Sequence, residues 1–116
     1  MDGGNNPNPT SPPLTETQSE QQRALAKQAK ALSHPVRVRI VKILIDLDKQ
    51  GGCLNHDIVG QLGLAQSTVS EHLRVLKSAG FVHAQQMPPR VCYRINKQAL
   101  SDFSKLFHQV FIESIY

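Results

Sequence analysis

At 116 residues, with 40% hydrophobic and 19% charged residues, the chain has room for one small domain and a tail, and a partner subunit would help such a domain cover its apolar surface. The formal charge is +4, but residues 1 to 22 hold three acids and no base, so the remainder carries all 13 basic residues against six acids; a net-basic body suits either a polyanion or plain solubility. No apolar run approaches the ~20 residues that cross a bilayer, the start lacks the pattern of a signal peptide, and two cysteines are too few for a disulfide framework, so no membrane partner and a cytoplasmic location are expected.

Residues 1–15, rich in Pro, Asn, Gly, Ser and Thr, read as a disordered tail, and 16–116 as the folded domain. From Glu16 to Ser33 a thin stripe of Ala24, Leu25, Ala29 and Leu32 marks a helix laid against something else. In "SHPVRVRIVKILIDLDK", Pro35 suits a first helical position, and Val36, Ile40, Ile43, Leu44 and Leu47 form one apolar face before "KQGG" stops the helix. "HDIVGQLGLAQSTVSEHLRVLKSAG" then has the spacing of a helix-turn-helix. Ile58, Val59 and Leu62 anchor a short helix, Gly63 sits at its left-handed end, Val69, Leu73 and Leu76 anchor the longer helix, and Gly80 closes it.

Two short β-type runs around Pro88 and Pro89 predict a hairpin with Val91, Tyr93 and Ile95 facing the core and Cys92 and Arg94 facing outward. After Asn96, a good N-cap, Leu100, Phe103, Leu106, Phe107, Val110 and Phe111 give a helix more apolar than one small core can cover. A homodimer through the first and last helices, using Leu25, Leu32, Leu100, Phe103, Phe107, Val110 and Phe111, is the economical solution.

The polar side of the longer helix then has a use. The second helix of a helix-turn-helix enters the major groove of double-stranded DNA, and Gln66, Ser67, Thr68 and Ser70 are short polar groups at its leading end, with Arg74 one turn on. Glu71 is expected to pair with Arg74 at i, i+3, and His72 to be packed and hydrogen-bonded. On the hairpin, Gln85, Gln86 and Arg90 flank the tip and are candidates for a second contact, a plain structural wing being the alternative.

At "ALSHPVRVRIVKIL", "LGLAQSTVSEHLRVLKSAGFV" and "VCYRIN", in this order and at these distances, the chain resembles the ArsR/SmtB family of bacterial winged-helix repressors, over about residues 24 to 100. The resemblance implies a mainly α domain with a small β-hairpin, a winged helix-turn-helix of order α-α-α-α-β-β-α, dimeric through the terminal helices. It further implies a repressor on an inverted-repeat operator, released by an inducer, with no catalysis.

The departures from the family concern sensing. Ala65 stands where many members have a capping serine, leaving Ser67 or Thr68, the latter spaced with Glu71 as a capping box, to take over. The family's metalloid site begins with Cys-x-Cys; here "GGCLNHDIV" offers Cys53 and His56, with Asn55 in place of the second cysteine. A metalloid or soft metal ion at Cys53 would therefore need Cys92, His108 or a partner's group, and the metal, if any, is unknown. The family's other metal pattern, an Asp and a His two residues on, fails at Asp102 and Ser104. Some members sense oxidants or sulfur species through two bridging cysteines, which here requires the Cα atoms of Cys53 and Cys92 to lie within ~7 Å; a pair of inert apolar fillers is the alternative. The functional expectation is a DNA-binding repressor induced by a thiol-reactive species or metalloid. A ligand-free repressor and a winged-helix protein-interaction module without an operator are the competing readings.

Overall fold

The computed structural model describes residues 13–55 and 60–116. Four helices of two turns or more carry the fold: α1 (Glu16–Ala31), α2 (Pro35–Lys49), α3 (Gln66–Ser78) and α4 (Lys97–Phe107). A two-stranded antiparallel hairpin, β1 (Val82–Met87) and β2 (Arg90–Ile95), separates α3 from α4. The chain leaves α4 through a π-helical turn (His108–Ile112) into a last short helix, α5 (Glu113–Ile115). His56, Ile58 and Val59 lie outside the described residues; of the short helix expected there, a 3-10 turn at Gly60–Leu62 is described.

Local chemistry sets the boundaries. Thr15 and Gln18 form a reciprocal capping box at the start of α1. Pro35 opens α2, and the His34 ring nitrogen Nδ1 accepts from the Val36 amide at 3.1 Å. Gly63, at φ +69°, makes the left-handed turn between the 3-10 segment and α3, a conformation that costs any residue with a Cβ roughly 1–2 kcal/mol. Asn96 caps α4 by accepting from the Ala99 amide, and its own side-chain amide donates to the Gly80 carbonyl, tying the end of the reading unit to the last helix.

The core is built where α2, α3 and the hairpin meet. Ile40 and Leu44 of α2, Val69, Leu73 and Leu76 of α3, Leu54, Phe81 and Val82 are all buried, and Ile95 closes the group. Phe81 meets the edge of Phe103 with ring centroids 5.8 Å apart, so α4 is anchored to the same core. Leu54 exchanges two backbone hydrogen bonds with Tyr93, both 3.0 Å, so the segment after α2 pairs with the free edge of β2.

That pairing corrects the reading of β2. Ile95 is in the core and Tyr93 packs on it, as expected, but Cys92 does not face outward: it is 4% exposed and joined to Cys53 by a disulfide. The alternation of a strand leaves one face free only when nothing lies over it. Here residues 52–55 cover it, and Arg94, on the same face, donates to the Gly52 carbonyl at 3.2 Å.

Candidate nucleic-acid interface

Helix α3 turns Val69, Leu73 and Leu76 inward and leaves Gln66, Ser67, Thr68, Ser70 and Arg74 exposed. Helical spacing puts Gln66, Ser67, Ser70 and Arg74 on one side of α3, with Thr68 exposed around the helix from them. Ala65 occupies the N-cap of α3 and makes no side-chain capping hydrogen bond. The expected takeover by Ser67 or Thr68 does not occur: Ala65 is the N-cap, and both hydroxyl residues lie inside the first helical turn.

Arg74 is not loose. Its Nε and Nη2 both reach Glu71 at 2.7 Å, the expected i, i+3 pair in bidentate form. The Arg74 guanidinium holds the Glu71 carboxyl below the usual carboxylate range, so Glu71 stays ionised throughout the neutral range. A duplex that recruits Arg74 competes with this carboxylate.

His72 is packed, as expected, but against His34, with ring centroids 4.5 Å apart, and its buried Nδ1 has no hydrogen-bond partner among the described residues. Burial pushes the imidazole below the ordinary histidine value of 6.5, and the His34 and Arg37 charges push it further, against a smaller opposing effect of Glu71. The unfolded chain then binds this proton more readily than the folded one. The stability His72 contributes is present above that ordinary value and is lost as the pH falls through the lower folded one. We expect the melting temperature to drop between about pH 7.5 and about pH 5.5, and a His72→Asn variant, followed by circular dichroism, to show a smaller drop. An equal drop in both proteins would remove His72 from the account.

Gln86 and Arg90 stand exposed on either side of the wing tip, Arg90 paired with Met87 and Gln86 with Val91. Gln85 is drawn back along the hairpin, its side-chain oxygen accepting from Arg94 Nε at 3.3 Å. Gln86 and Arg90, the latter cationic, are thus both exposed near the wing tip, some distance along the chain from α3.

Behind the wing lies the cysteine pair. Cys53 and Cys92 have Cα atoms 5.6 Å apart and line an open cleft with Asn55, Pro88, Pro89 and Arg90. Both sulfurs are spent on each other, and no group of three or more His, Cys, Asp or Glu among the described residues can hold a metal ion. A soft ion at Cys53 does not fit this bonded form; His108 instead pairs with Glu113 at 3.5 Å on the last helices.

The residues expected at a dimer interface divide in two. Leu32, Leu100 and Phe103 lean on the domain's own core, and Leu25 is buried. Phe107 and Phe111, 44% and 49% exposed, meet edge to face and, with Val110, line an open groove against Leu25, Ala26 and Ala29. Sequence reasoning did not single out Lys27, Lys30 or Arg37, which line a second cleft beside Arg74; the only signal for them was the excess of basic residues after position 22.

Residues 34–84, from the cap of α2 to β1, match the family model described as bacterial regulatory protein, arsR family. The chain is 28% identical over 103 residues to the Biofilm growth-associated repressor of Xylella fastidiosa (strain 9a5c), covering 88% of this chain and 87% of that one. It is 36% identical over 72 residues to the HTH-type transcriptional repressor SmtB of Mycobacterium tuberculosis (strain ATCC 25618 / H37Rv), covering 62% of this chain and 50% of that one. Among solved structures, the homodimeric winged helix-turn-helix DNA-binding domain of Mb0332 from Mycobacterium bovis aligns with a TM-score of 0.65 at 25% identity, over 89% of this chain and 91% of that one. No helix among the described residues is long and apolar enough to cross a membrane. With the turn and reading helix inside the matched span and the wing and closing helix folded around them, this chain belongs to the ArsR family of bacterial regulatory proteins, DNA-binding transcription regulators and not enzymes.

Proposed function

We propose that the protein acts in the cytoplasm as a homodimeric repressor on an inverted-repeat operator, and that it lets go when Cys53 and Cys92 are oxidised to a disulfide. The dimer forms through the groove of Leu25, Phe107, Val110 and Phe111, whose exposed apolar area a second copy would cover. Two copies of α3 then enter successive major grooves roughly 34 Å apart. Gln66, Ser67, Thr68, Ser70 and Arg74 face the bases and nearby phosphates, and Gln86 and Arg90 reach from the wing. The outer face of α3 is polar and cationic, ending in Lys77, which favours a duplex over an apolar protein partner.

The observation that carries the sensing reading is the cysteine pair. Its Cα separation of 5.6 Å suits a disulfide, and the two residues lie on segments that lead respectively into the helix-turn-helix and along the wing. In a reducing compartment such a bond is more often a signal than a brace. Formation removes two protons and two electrons from the thiols; a peroxide accepts both and leaves as two waters, one S–S bond replacing two S–H bonds. The bond couples the turn to the wing, and so favours one relative angle of the two DNA-contacting parts over another. A signal shifts the equilibrium only by such a difference between states.

The test is a fluorescence anisotropy titration of a duplex carrying the protein's own promoter, with the protein reduced and with it oxidised. The reduced dimer is expected to bind at least about tenfold more tightly, a difference of roughly 1.4 kcal/mol. Cys53→Ser is expected to bind like the reduced protein under both conditions. Equal affinities of the reduced and oxidised wild type would leave a repressor without this switch.

A further inference from the structure

Beside the reading helix, a cleft between α1, α2 and α3 is lined by Lys27, Lys30, Arg37, Arg74 and Ser78, together with small apolar residues and no acid. Arg74 is paired with Glu71, but the other three cations on this concave surface repel one another, and a fold keeps such an arrangement at some cost unless an anion visits it. Among the described residues neither Lys27, Lys30 nor Arg37 forms an ion pair. The Arg37 Nε is buried without a hydrogen-bond acceptor. The field of this cluster reaches its neighbours: Arg37 is among the causes that push the His72 imidazole down and the Glu71 carboxyl down. Lys30, in the last turn of α1, has a local role against the helix dipole; Lys27 and Arg37 have no such role.

We propose that this cleft holds a backbone phosphate of the operator, so that α1 and the start of α2 clamp the duplex alongside α3. The inference rests on the DNA-binding reading above and extends it to residues outside the helix-turn-helix and the wing. The duplex is the occupant because Arg74 belongs to both surfaces: it shares the exposed face of α3 with Ser70 and also forms one wall of the cleft. A phosphate entering there meets Lys27, Lys30 and Arg37 directly, and the Ser78 hydroxyl can donate to it. Such a contact carries no sequence information; it fixes register and adds salt-dependent affinity.

The test is the salt dependence of operator binding by the full-length protein carrying Lys27→Ala with Lys30→Ala. Both side chains are exposed, so folding is not at stake. The slope of log affinity against log salt is expected to become shallower by roughly 0.9 for every phosphate contact removed, with operator and scrambled duplex weakened alike, about tenfold or more at moderate salt. Lys27→Arg with Lys30→Arg keeps the slope. A control of equal charge change on other surfaces, Lys49→Ala with Lys105→Ala, is expected to leave it nearly unchanged. An unchanged slope in the first variant, or an equal change in the control, overturns the proposal. Titration with inorganic phosphate alone at constant ionic strength is expected to show no saturable binding. Saturable binding lost in the Lys27/Lys30 variant would make the cleft a small-anion site and overturn the assignment to DNA. A wild-type protein that binds no duplex at all would bring down the DNA-binding reading itself.

Discussion

A chain carrying both Phe107→Glu and Phe111→Glu is expected to run as a monomer at micromolar concentration and to bind its operator at least about a hundredfold more weakly than the wild type. The two rings stack edge to face with centroids 5.1 Å apart and leave nearly half their surface open in the single chain. Burying a phenylalanine contributes roughly 1.5–3 kcal/mol, and a symmetric interface counts each ring twice. Putting a carboxylate in its place replaces that gain with a desolvation cost and sets like charges against each other. Without the dimer, the second half-site is no longer engaged from an effective concentration in the millimolar range, and a factor of ~10²–10⁴ is lost with it. Light scattering and anisotropy on one preparation check both halves of the expectation. A variant that stays dimeric would move the interface off this groove.

The largest loss of stability is expected from Phe81→Ala. Phe81 is wholly buried; its amide donates to the Leu76 carbonyl at 3.0 Å, and its own carbonyl accepts from the Asn96 amide at 2.8 Å. Its ring abuts Phe103, so one side chain joins the end of the reading helix, the start of the wing and the closing helix. Removing a buried phenylalanine costs roughly 3–5 kcal/mol, where a domain of this kind has about 5–15 in all. The melting temperature should fall by at least about 12 °C, and Phe81→Leu should fall less. A fall of a degree or two would mean that the site collapses to fill the space.

Helix positions were legible from spacing because a helix buries residues at a fixed interval: Val69, Leu73 and Leu76 were expected inside and are. Phe81 and Leu54 were not singled out. Each is an isolated apolar residue outside any repeating pattern, and its burial comes from partners far along the chain, Phe103 for one and Tyr93 for the other. Cys92 was misread for the same reason. Alternation along β2 predicts which residues share a face, but not that residues 52–55 would return to cover one. The polar face of α3 was readable as a set, since helical geometry alone puts Gln66, Ser67, Ser70 and Arg74 together. The cationic cleft was not, because Lys27, Lys30 and Arg37 come from two helices whose angle the sequence does not state.

The paired backbone hydrogen bonds between Leu54 and Tyr93 have a kinetic consequence. They join residues next to the two cysteines and do not depend on the sulfurs, so opening the bridge leaves its ends held as neighbours. Once a peroxide has oxidised one thiol, attack by the other, with water leaving, is an intramolecular step aided by the high local molarity that fixed geometry provides, and the rate of that step is independent of how many copies of the protein the cell contains. A bridge built this way closes equally fast in a scarce protein and in an abundant one.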